Sequence, residues 1–336
     1  MLSADTKQSA DAPSPAAGIR KRLIIQIQWG PQASHKAILE PGEILRVGRA
    51  TQGSPGFPAA DGLLASSNQE ALTRETLPRE KVLTVTHDTQ MSDAHFALSW
   101  NGTVCHLRAL KSAMGTQVNG QRMEEAELSH GAWIRAGMTD FMVYIENTTP
   151  PRRPTRHNPP EVDAARKHAL EVLKRTDTTL FAVLDAARDA RLLELLRESV
   201  EEYRSLYQGI TGDTLADVAP YLVELPKESR LLKALVEEGW GRSWGIYLSS
   251  PLPFANVRHQ LRKFLMVEAE GMQGQLYFRF YDPRVLRILL PTYTQAQREE
   301  FFGGITRFVM EGEDGEVLTN ITSISAAGLH NTPNKK

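Results

Sequence analysis

The chain has 336 residues, of which 41% are hydrophobic, and its formal net charge is −1 at pH 7. This length predicts roughly two domains of about 100–200 residues each, and the near-zero charge argues against a protein whose main task is to coat nucleic acid. The single cysteine, Cys105, excludes an internal disulfide and a thiolate metal cluster, which fits a reducing compartment.

Residues 1–19 are polar and poor in apolar side chains, so we predict a disordered tail. The short apolar run that follows is too brief for the core of a secretory signal. No stretch reaches the ~20 apolar residues that a membrane helix needs. We therefore expect a cytoplasmic protein with no membrane partner.

Residues 20–148 show an all-β pattern. Short apolar runs are separated by turns, in the order LIIQIQW, ILRVGR, VLTVT, HFALSW, TVCHLRAL, TQVNG, AWIRAG and FMVYIE. Asn101-Gly102 and Asn119-Gly120 are sequences typical of tight hairpins. Many short strands with regular turns predict a β-sandwich.

Two segments interrupt this regularity. The insertion Ala50–Arg79 is rich in Gly, Ser and Pro at first and polar later, which predicts a functional or mobile segment rather than core. The stretch 149–160, which contains PPRRPTRHNPP, predicts a stiff and basic linker. Two interpretations of the linker stay open, namely a solvated hinge and a strip that docks an acidic partner.

Residues 161–322 alternate between helical and strand patterns, which predicts an α/β domain with a mixed sheet because hairpins and crossovers coexist. The predicted helices are Glu161–Lys174, Asp189–Glu201, Ser229–Glu238, Phe254–Phe264 and Gln295–Phe302. The predicted strands are LFAVLDAA, PYLVELP, WGIYLSS, MVEAE, LYFRFYD, ITRFVME and EVLTN. Residues 323–336 are predicted to be a tail.

The stretch Gln275–Pro291 is the centre of this second domain. Alternate apolar residues from 276 to 280 predict a strand with one apolar face. Asp282 then suits a helix N-cap and Pro283 the first helical position, because proline lacks the N–H that is not needed there. A strand that leads directly into a capped helix predicts a packing nucleus.

The N-terminal half resembles a forkhead-associated (FHA) domain, a β-sandwich that reads phosphothreonine. The matching motifs are Gly48-Arg49, the run from Ser92 to His95, and the run from Gly115 to Gly120. The resemblance implies a phosphopeptide-type pocket formed by Arg49, Ser92, Thr116 and Asn119. It also implies structural roles for Gly48, His95 and Gly115.

Two positions depart from the FHA pattern. Asp93 stands where the family usually has Arg or Lys and places a negative charge beside the expected phosphate, which costs on the order of 1 kcal/mol within ~5 Å. Met114 stands where the family has an Asn that holds the peptide backbone. A sandwich that docks proteins without reading phosphate is therefore our preferred interpretation, with phosphothreonine reading as the alternative.

The C-terminal half, from about Thr179 to Val309, resembles the adaptor (chaperone) domain of type VI secretion systems. The resemblance is carried by LFAVLDAARDARLLELL, YRSLYQG, APYLVEL, EEGWGRSWGIYLSSP, RFYDPRVLRILLP and FFGGITRF. It implies a non-enzymatic protein that binds a secreted toxin effector and helps load it onto the spike protein. The fold class expected for the whole chain is thus a multidomain protein, an all-β FHA-type sandwich followed by an α/β adaptor domain.

Two residue sets of the second domain have alternative interpretations. The motif residues are interpreted either as a structural salt-bridge and cap set or as an effector contact; they are Arg279, Asp282, Pro283 and Arg284. The aromatic residues are interpreted either as a partner surface or as core; they are Trp240, Trp244 and Phe254.

Sequence features of enzymes are weak. Gly241–Gly245 (GRSWG) matches the nucleophile-elbow pattern, but that motif needs a strand before it and a helix after it, and here the order is reversed. The histidines show no metal-binding spacing, and no phosphate-binding loop is present. We expect no catalytic residue, no metal and no cofactor.

The sequence thus predicts an adaptor that acts by bivalent tethering, in which the linker must span two binding surfaces. Its predicted partners are a secreted toxin effector, the secretion spike protein and, in the alternative, a phosphothreonine protein, with no nucleic acid. The insertion Ala50–Arg79 is a candidate contact surface. The alternative function is a phosphothreonine-dependent regulatory module of the secretion system.

Overall fold

The computed structural model describes residues 20–29, 32–49, 79–110, 112, 114–151, 160–209, 214–268, 275–315, 318–322 and 330–331. The predicted tail 1–19, almost all of the insertion predicted for 50–79, residues 152–159 of the predicted linker and the last residues 332–336 lie outside this description. Among the described helices, none has the length and apolar character needed to cross a membrane.

The first domain is a β-sandwich, as predicted. Its strands are β1 Leu23–Ile27, β2 Lys36–Leu39, β3 Ile44–Arg49, β4 Glu80–Val85, β5 Phe96–Trp100, β6 Cys105–Ala109, β7 Thr116–Val118, β8 Gln121–Met123, β9 Glu125–Leu128, β10 Trp133–Ala136 and β11 Thr139–Ile145. One sheet has the order β2-β1-β11-β10-β7-β8 and the other β4-β3-β5-β6-β9. Strands β3 and β4 pair in parallel, so both end at the same end of the sandwich.

The sandwich core lies between the two sheets, where inward-facing side chains interdigitate. Phe96 of one sheet meets Phe141 of the other edge to face, with ring centroids 5.5 Å apart. Cys105 is fully buried in this core, and burial raises the pKa of its thiol to about 12. The short apolar runs of the sequence therefore correspond to strands that enclose a two-layer core.

The second domain is a sheet covered by helices. Its helices are α1 Pro160–Lys174, α2 Arg191–Arg197, α3 Arg230–Gly239, α4 Phe254–Arg262, α5 Pro283–Leu289 and α6 Gln295–Phe302. Its strands are β12 Thr179–Asp185, β13 Tyr203–Ser205, β14 Pro220–Glu224, β15 Gly245–Ser250, β16 Met266–Glu268, β17 Gln275–Tyr277, β18 Arg307–Glu311, β19 Leu318–Thr322 and β20 His330–Asn331. Short 3-10 turns follow at Ala216–Val218, Leu290–Thr292 and Glu313–Gly315.

The seven-stranded sheet of this domain has the order β13-β14-β12-β15-β18-β19-β20. The prediction of a mixed sheet was wrong, because every pairing among these described strands is antiparallel. The crossover through α3 does join two strands of the same direction, β14 and β15. Strand β12 lies between them, however, and is antiparallel to both.

Two hydrophobic cores lie on the two faces of this sheet. In β12, Leu180 and Ala182 face the core that α1, α2 and α3 cover. Phe181 and Val183 face the opposite core, which α4, α5 and α6 cover. Because both faces are buried, β12 reads as a continuous apolar run rather than an alternating one.

The stretch Gln275–Pro291 is only partly as predicted. Strand β17 ends at Tyr277 and pairs with β16 in a separate two-stranded sheet, so residues 278–281 are not a strand. Phe280 is buried against Phe301 of α6, with ring centroids 5.8 Å apart, which explains its apolar character without a sheet. Asp282 caps α5 as predicted, since its side chain accepts a hydrogen bond from the Arg284 N–H.

The tail predicted for 323–336 needs a second correction. Residues His330–Asn331 pair with β19 and form the outermost described strand of the seven-stranded sheet. Two residues are too few to give a periodic signal, so the sequence pattern could not predict this pairing.

The two domains pack directly on each other. The Lys36 ammonium donates to the Ser199 carbonyl at 2.7 Å and lies 4.7 Å from the centroid of the Tyr203 ring. The buried Tyr203 hydroxyl donates to Gln26 Oε1 at 2.9 Å. Arg204 donates to the Ser34 carbonyl at 2.7 Å. Polar groups of the sandwich are thus paired by β13 and the chain before it.

A second set of contacts fastens the chain where it leaves the sandwich. Glu198 accepts hydrogen bonds from the backbone N–H groups of Thr148 at 2.8 Å and of Thr149 at 3.0 Å, and from the Thr149 hydroxyl. Glu146 pairs with Arg230 at 3.2 Å. These contacts hold the two domains against each other near the start of the predicted linker.

Candidate functional site

Most of the FHA motif residues lie at one end of the sandwich. The Arg49 N–H at the end of β3 donates to the Ser92 carbonyl at 3.0 Å, which brings the β4–β5 loop onto β3. A Cβ atom at Gly48 would lie 1.9 Å from the Asp93 carbonyl oxygen. Only glycine permits this approach of two backbones, so Gly48 is a requirement of the loop geometry.

His95 joins this loop to the start of β7. Its ring is fully buried. Nδ1 accepts a hydrogen bond from the Ser92 N–H at 3.2 Å, and Nε2 lies 2.9 Å from the Gly115 carbonyl oxygen. Since an N–H only donates and a carbonyl only accepts, the ring is the neutral tautomer with its proton on Nε2. His95 therefore positions the backbone around the site.

The guanidinium of Arg49 is already paired within the protein. Its Nη2 atom lies 3.1 Å from Asp93 Oδ1, and its Nη1 atom donates to the Thr89 carbonyl at 3.3 Å. The carboxylate of this same loop thus lies where the resemblance expects a phosphate. Within the described part of the chain, the half-buried Ser92 hydroxyl has no hydrogen-bond partner.

Among the described residues, neither of the other two expected pocket residues forms a hydrogen bond with Arg49. Thr116 is fully buried at the start of β7, and its hydroxyl is without a hydrogen-bond partner among the described residues. Asn119 lies at the opposite end of β7 in the turn to β8, with φ of 50°. Its Oδ1 accepts from the Trp133 N–H at 2.9 Å. The pocket prediction for Asn119 is therefore wrong, because the β7–β8 turn points its amide at β10.

Gly115, at φ of 72°, packs on Arg122.

Large apolar side chains are exposed at the same end of the sandwich. Met114 precedes β7, and Met138 lies in the β10–β11 turn. The Met138 N–H donates to Asp88 of the β4–β5 loop at 2.7 Å. Trp29 follows β1, whose end pairs with the start of β11. These side chains are 55%, 71% and 60% exposed, respectively. The sequence analysis recognised only Met114, because exposure within a turn leaves no periodic pattern.

In the second domain, the motif residues hold the fold around α5. Arg279 forms an ion pair with Asp185, the fully buried last residue of β12. Asp282 accepts from the Arg284 N–H at 3.0 Å and pairs with its guanidinium at 2.6 Å. Although burial opposes it, these bonds from Arg284 hold the pKa of Asp282 below its usual range. Pro283 is buried at the first helical position.

Asp185 is a residue that the sequence analysis missed as a partner of Arg279. The sequence did contain a signal for this role, because Asp185 is the single acidic residue in the otherwise apolar run LFAVLDAA. Its Oδ1 also accepts a hydrogen bond from the Ala187 N–H at 3.2 Å.

The predicted aromatic partner surface is core. Trp240 and Trp244 are each 4% exposed and belong to the core beneath α3, and the Trp240 indole N–H donates to the Gly315 carbonyl at 2.9 Å. Phe254 packs partly buried against Phe181, with centroids 6.2 Å apart. The surface prediction was wrong because aromatic side chains next to glycine turns fit a core as well as an interface.

The GRSWG segment lies between the end of α3 and the start of β15. Ser243 is buried there with φ of 55°. Glu311 accepts hydrogen bonds from the Gly241 N–H at 2.6 Å, the Ser243 N–H at 2.7 Å and the Ser243 hydroxyl at 3.1 Å. Burial raises the pKa of Glu311. The serine hydroxyl is thus engaged in holding a turn.

Comparison with known proteins agrees with two domains. A family model of the FHA domain matches residues 77–137, and a family described as a domain of unknown function (DUF4123) matches residues 180–300. No curated protein matches the chain. The first part of the chain is an FHA-type sandwich, followed by a region of sheet and helices.

Several solved FHA structures are similar to the first domain. One, from an analysis of phosphothreonine-dependent FHA domain interactions, is 22% identical, covers 37% of this chain and 95% of its own, and has a TM-score of 0.25. The FHA domain of the CT664 protein from Chlamydia trachomatis is 15% identical, with coverages of 37% and 96% and a TM-score of 0.26. The FHA domain of an Arabidopsis thaliana hypothetical protein is 18% identical, with coverages of 43% and 100% and a TM-score of 0.28.

Proposed function

We propose that this protein is a non-enzymatic, cytoplasmic adaptor of a type VI secretion system. It binds a secreted toxin effector and helps load it onto the spike protein, and its FHA sandwich is an additional protein-docking module. The match of residues 180–300 to the DUF4123 family supports this proposal, since that domain is often found in effector adaptors of these systems.

The observation that carries the proposal is the internal use of the polar motif residues in the second domain. Asp185 pairs with Arg279, Asp282 caps α5, and Glu311 holds the turn around Ser243. Groups engaged in this way stabilise a scaffold, and a scaffold acts through its surfaces. Chaperone-like binding of a partner needs such surfaces and no reacting group.

The ion pair between Arg49 and Asp93 supports docking by the sandwich without phosphate. An incoming phosphate has to displace the Asp93 carboxylate, which lies 3.1 Å from the guanidinium. The exposed apolar side chains at this end, among them Met138 and Trp29, favour a partner with apolar residues.

A phosphothreonine-dependent regulatory module is the second candidate. It is favoured by the adjacency of Arg49 and Ser92, whose backbones are hydrogen-bonded at 3.0 Å. A guanidinium and a hydroxyl in this arrangement are suited to bind a phosphate.

The test is co-purification of the tagged full-length chain from its host cells, with and without phosphatase treatment of the lysate. An adaptor retains a toxin effector and a spike protein in both preparations. A regulatory module loses its partner after phosphatase treatment. Recovery of neither an effector nor a spike protein contradicts the adaptor proposal.

A further inference from the structure

Four arginine side chains lie at one end of two central strands of the seven-stranded sheet, where β12 ends and β15 begins. Arg188 follows β12 and Arg242 precedes β15, and the Arg188 guanidinium donates to the Arg242 carbonyl at 3.4 Å. Arg279 and Arg284 lie beside them through their ion pairs with Asp185 and Asp282. We call Arg188, Arg242, Arg279 and Arg284 the arginine surface.

The acidic partners of this surface lie beneath it. Asp185, Asp282 and Glu311 are all buried and accept hydrogen bonds from backbone N–H groups. The four arginines are exposed. Positive charge is therefore outermost, and the negative charge that balances part of it is withdrawn from solvent.

Two of the four arginines form no close ion pair in the described part of the chain. The Arg188 guanidinium donates to the Arg242 carbonyl and interacts with Asp282 only through its charge, and the Arg242 side chain makes no ion pair among the described residues. Both are exposed guanidinium groups, which bind carboxylates with a bidentate geometry.

An exposed apolar residue adjoins the arginine surface. Ile288 is 70% exposed and lies four residues after Arg284 in α5. Side chains four residues apart lie on the same face of a helix. The surface thus offers cations and an apolar contact side by side.

We propose that the arginine surface and Ile288 bind an acidic segment of the effector that also carries an apolar side chain. This inference rests on the proposed adaptor function and names the chemistry of its partner. Charge complementarity selects an acidic ligand. The apolar contact and the chain's net charge of −1 favour a protein segment over nucleic acid.

The test measures binding of a fluorescein-labelled peptide of alternating glutamate and leucine to the purified full-length chain by fluorescence anisotropy. The double variant Arg188→Glu, Arg242→Glu is expected to bind it at least tenfold more weakly, and higher salt is expected to weaken binding to the wild type. A peptide with glutamine in place of glutamate is expected not to bind.

Arg175→Glu is the matched control variant. It reverses the same charge at an exposed position before the start of β12, about 20 Å from the strand's other end. It is expected to bind the peptide as the wild type does. Equal melting temperatures of the three proteins show that the substitutions leave the fold intact.

Equal binding by the double variant and the wild type, or no binding by the wild type, overturns the inference. So does equal or tighter binding of a short DNA duplex through the same arginines. If the effector co-purifies equally with both proteins, the adaptor function stands and this inference fails. If no effector co-purifies but the peptide binds through these arginines, the surface stands and the proposed function fails.

Discussion

The carboxylate of Asp93 pairs with Arg49, the arginine that the FHA resemblance assigns to phosphate. Both side chains of this pair are partly exposed. A pair of this kind contributes about 0.2–1 kcal/mol. The barrier to phosphate is therefore modest and can be removed by a single substitution.

Asp93→Asn is expected to strengthen binding of a phosphothreonine peptide about threefold to tenfold, because it removes both the competing carboxylate and its repulsion. Isothermal titration of the full-length chain with phosphorylated and unphosphorylated peptides measures this change. The double variant Asp93→Asn, Arg49→Ala is the control and should lose the gain. Unchanged affinity of Asp93→Asn would show that Asp93 does not block the site.

Lys36 makes the contact between the domains sensitive to pH. Burial lowers the pKa of its ammonium from 10.5 to about 7, with Arg204 adding to the effect and Glu201 and Glu202 opposing it. Between these values the unfolded chain binds more protons than the folded protein. Stability therefore rises with pH, by up to about 1.4 kcal/mol per pH unit.

We expect the melting temperature of the wild type to rise from pH 7 to pH 9 relative to that of Lys36→Met, which cannot titrate at this position. Differential scanning fluorimetry of both proteins across this range gives the difference directly. Parallel pH profiles for the two proteins would show that Lys36 is not the source of the pH dependence.

Helix α5 shows which features of an element are local. Asp282 and Pro283 were predicted correctly as cap and first residue, because a cap depends on neighbours two or three residues away. The strand predicted through residue 280 was not found. Phe280 instead packs against Phe301 of α6, and this contact accounts for its apolar side chain. Contacts between residues that are distant in the chain produce no periodic pattern in the sequence.

The candidate site follows the same rule. Gly48 and His95 could be identified from a short motif. The pairing of Arg49 with Asp93 required the loop geometry, and the burial of Trp240 required the packing of α3 against the sheet. Motif residues were thus predictable, whereas their partners across the fold were not.

Asp282→Ala is expected to destabilise the second domain by about 1–2 kcal/mol, because it removes the cap of α5 and leaves Arg284 without its partner. Asp282→Asn is the matched control, since it keeps a capping oxygen and should cost less. Urea denaturation followed by tryptophan fluorescence measures both. Equal losses for the two variants would argue against the cap as the cause.

The whole molecule behaves as two domains joined by a polar interface. Glu198 is buried and serves both, since it lies directly after α2 and binds the chain that leaves the sandwich. Removing the Glu198 carboxylate leaves the backbone N–H groups of Thr148 and Thr149 without their partner, and an unmade hydrogen bond costs stability.

Glu198→Ala is expected to lower stability by about 2–3 kcal/mol and to separate the unfolding of the two domains. Differential scanning calorimetry should show one transition for the wild type and two for the variant. Lys233→Ala, which removes an exposed ion pair with Glu237 within α3, is the control and should leave a single transition. A single transition for Glu198→Ala as well would mean that other contacts suffice.

Cys105 can report how often the two sheets of the sandwich separate. A thiol reacts with alkylating reagents only as an accessible thiolate, and this one is shielded by the core and held in its protonated form. Its chemical modification must therefore wait for the two layers to separate. Since the chain has no second sulfhydryl, the labelling rate of the intact protein reports how often that separation occurs.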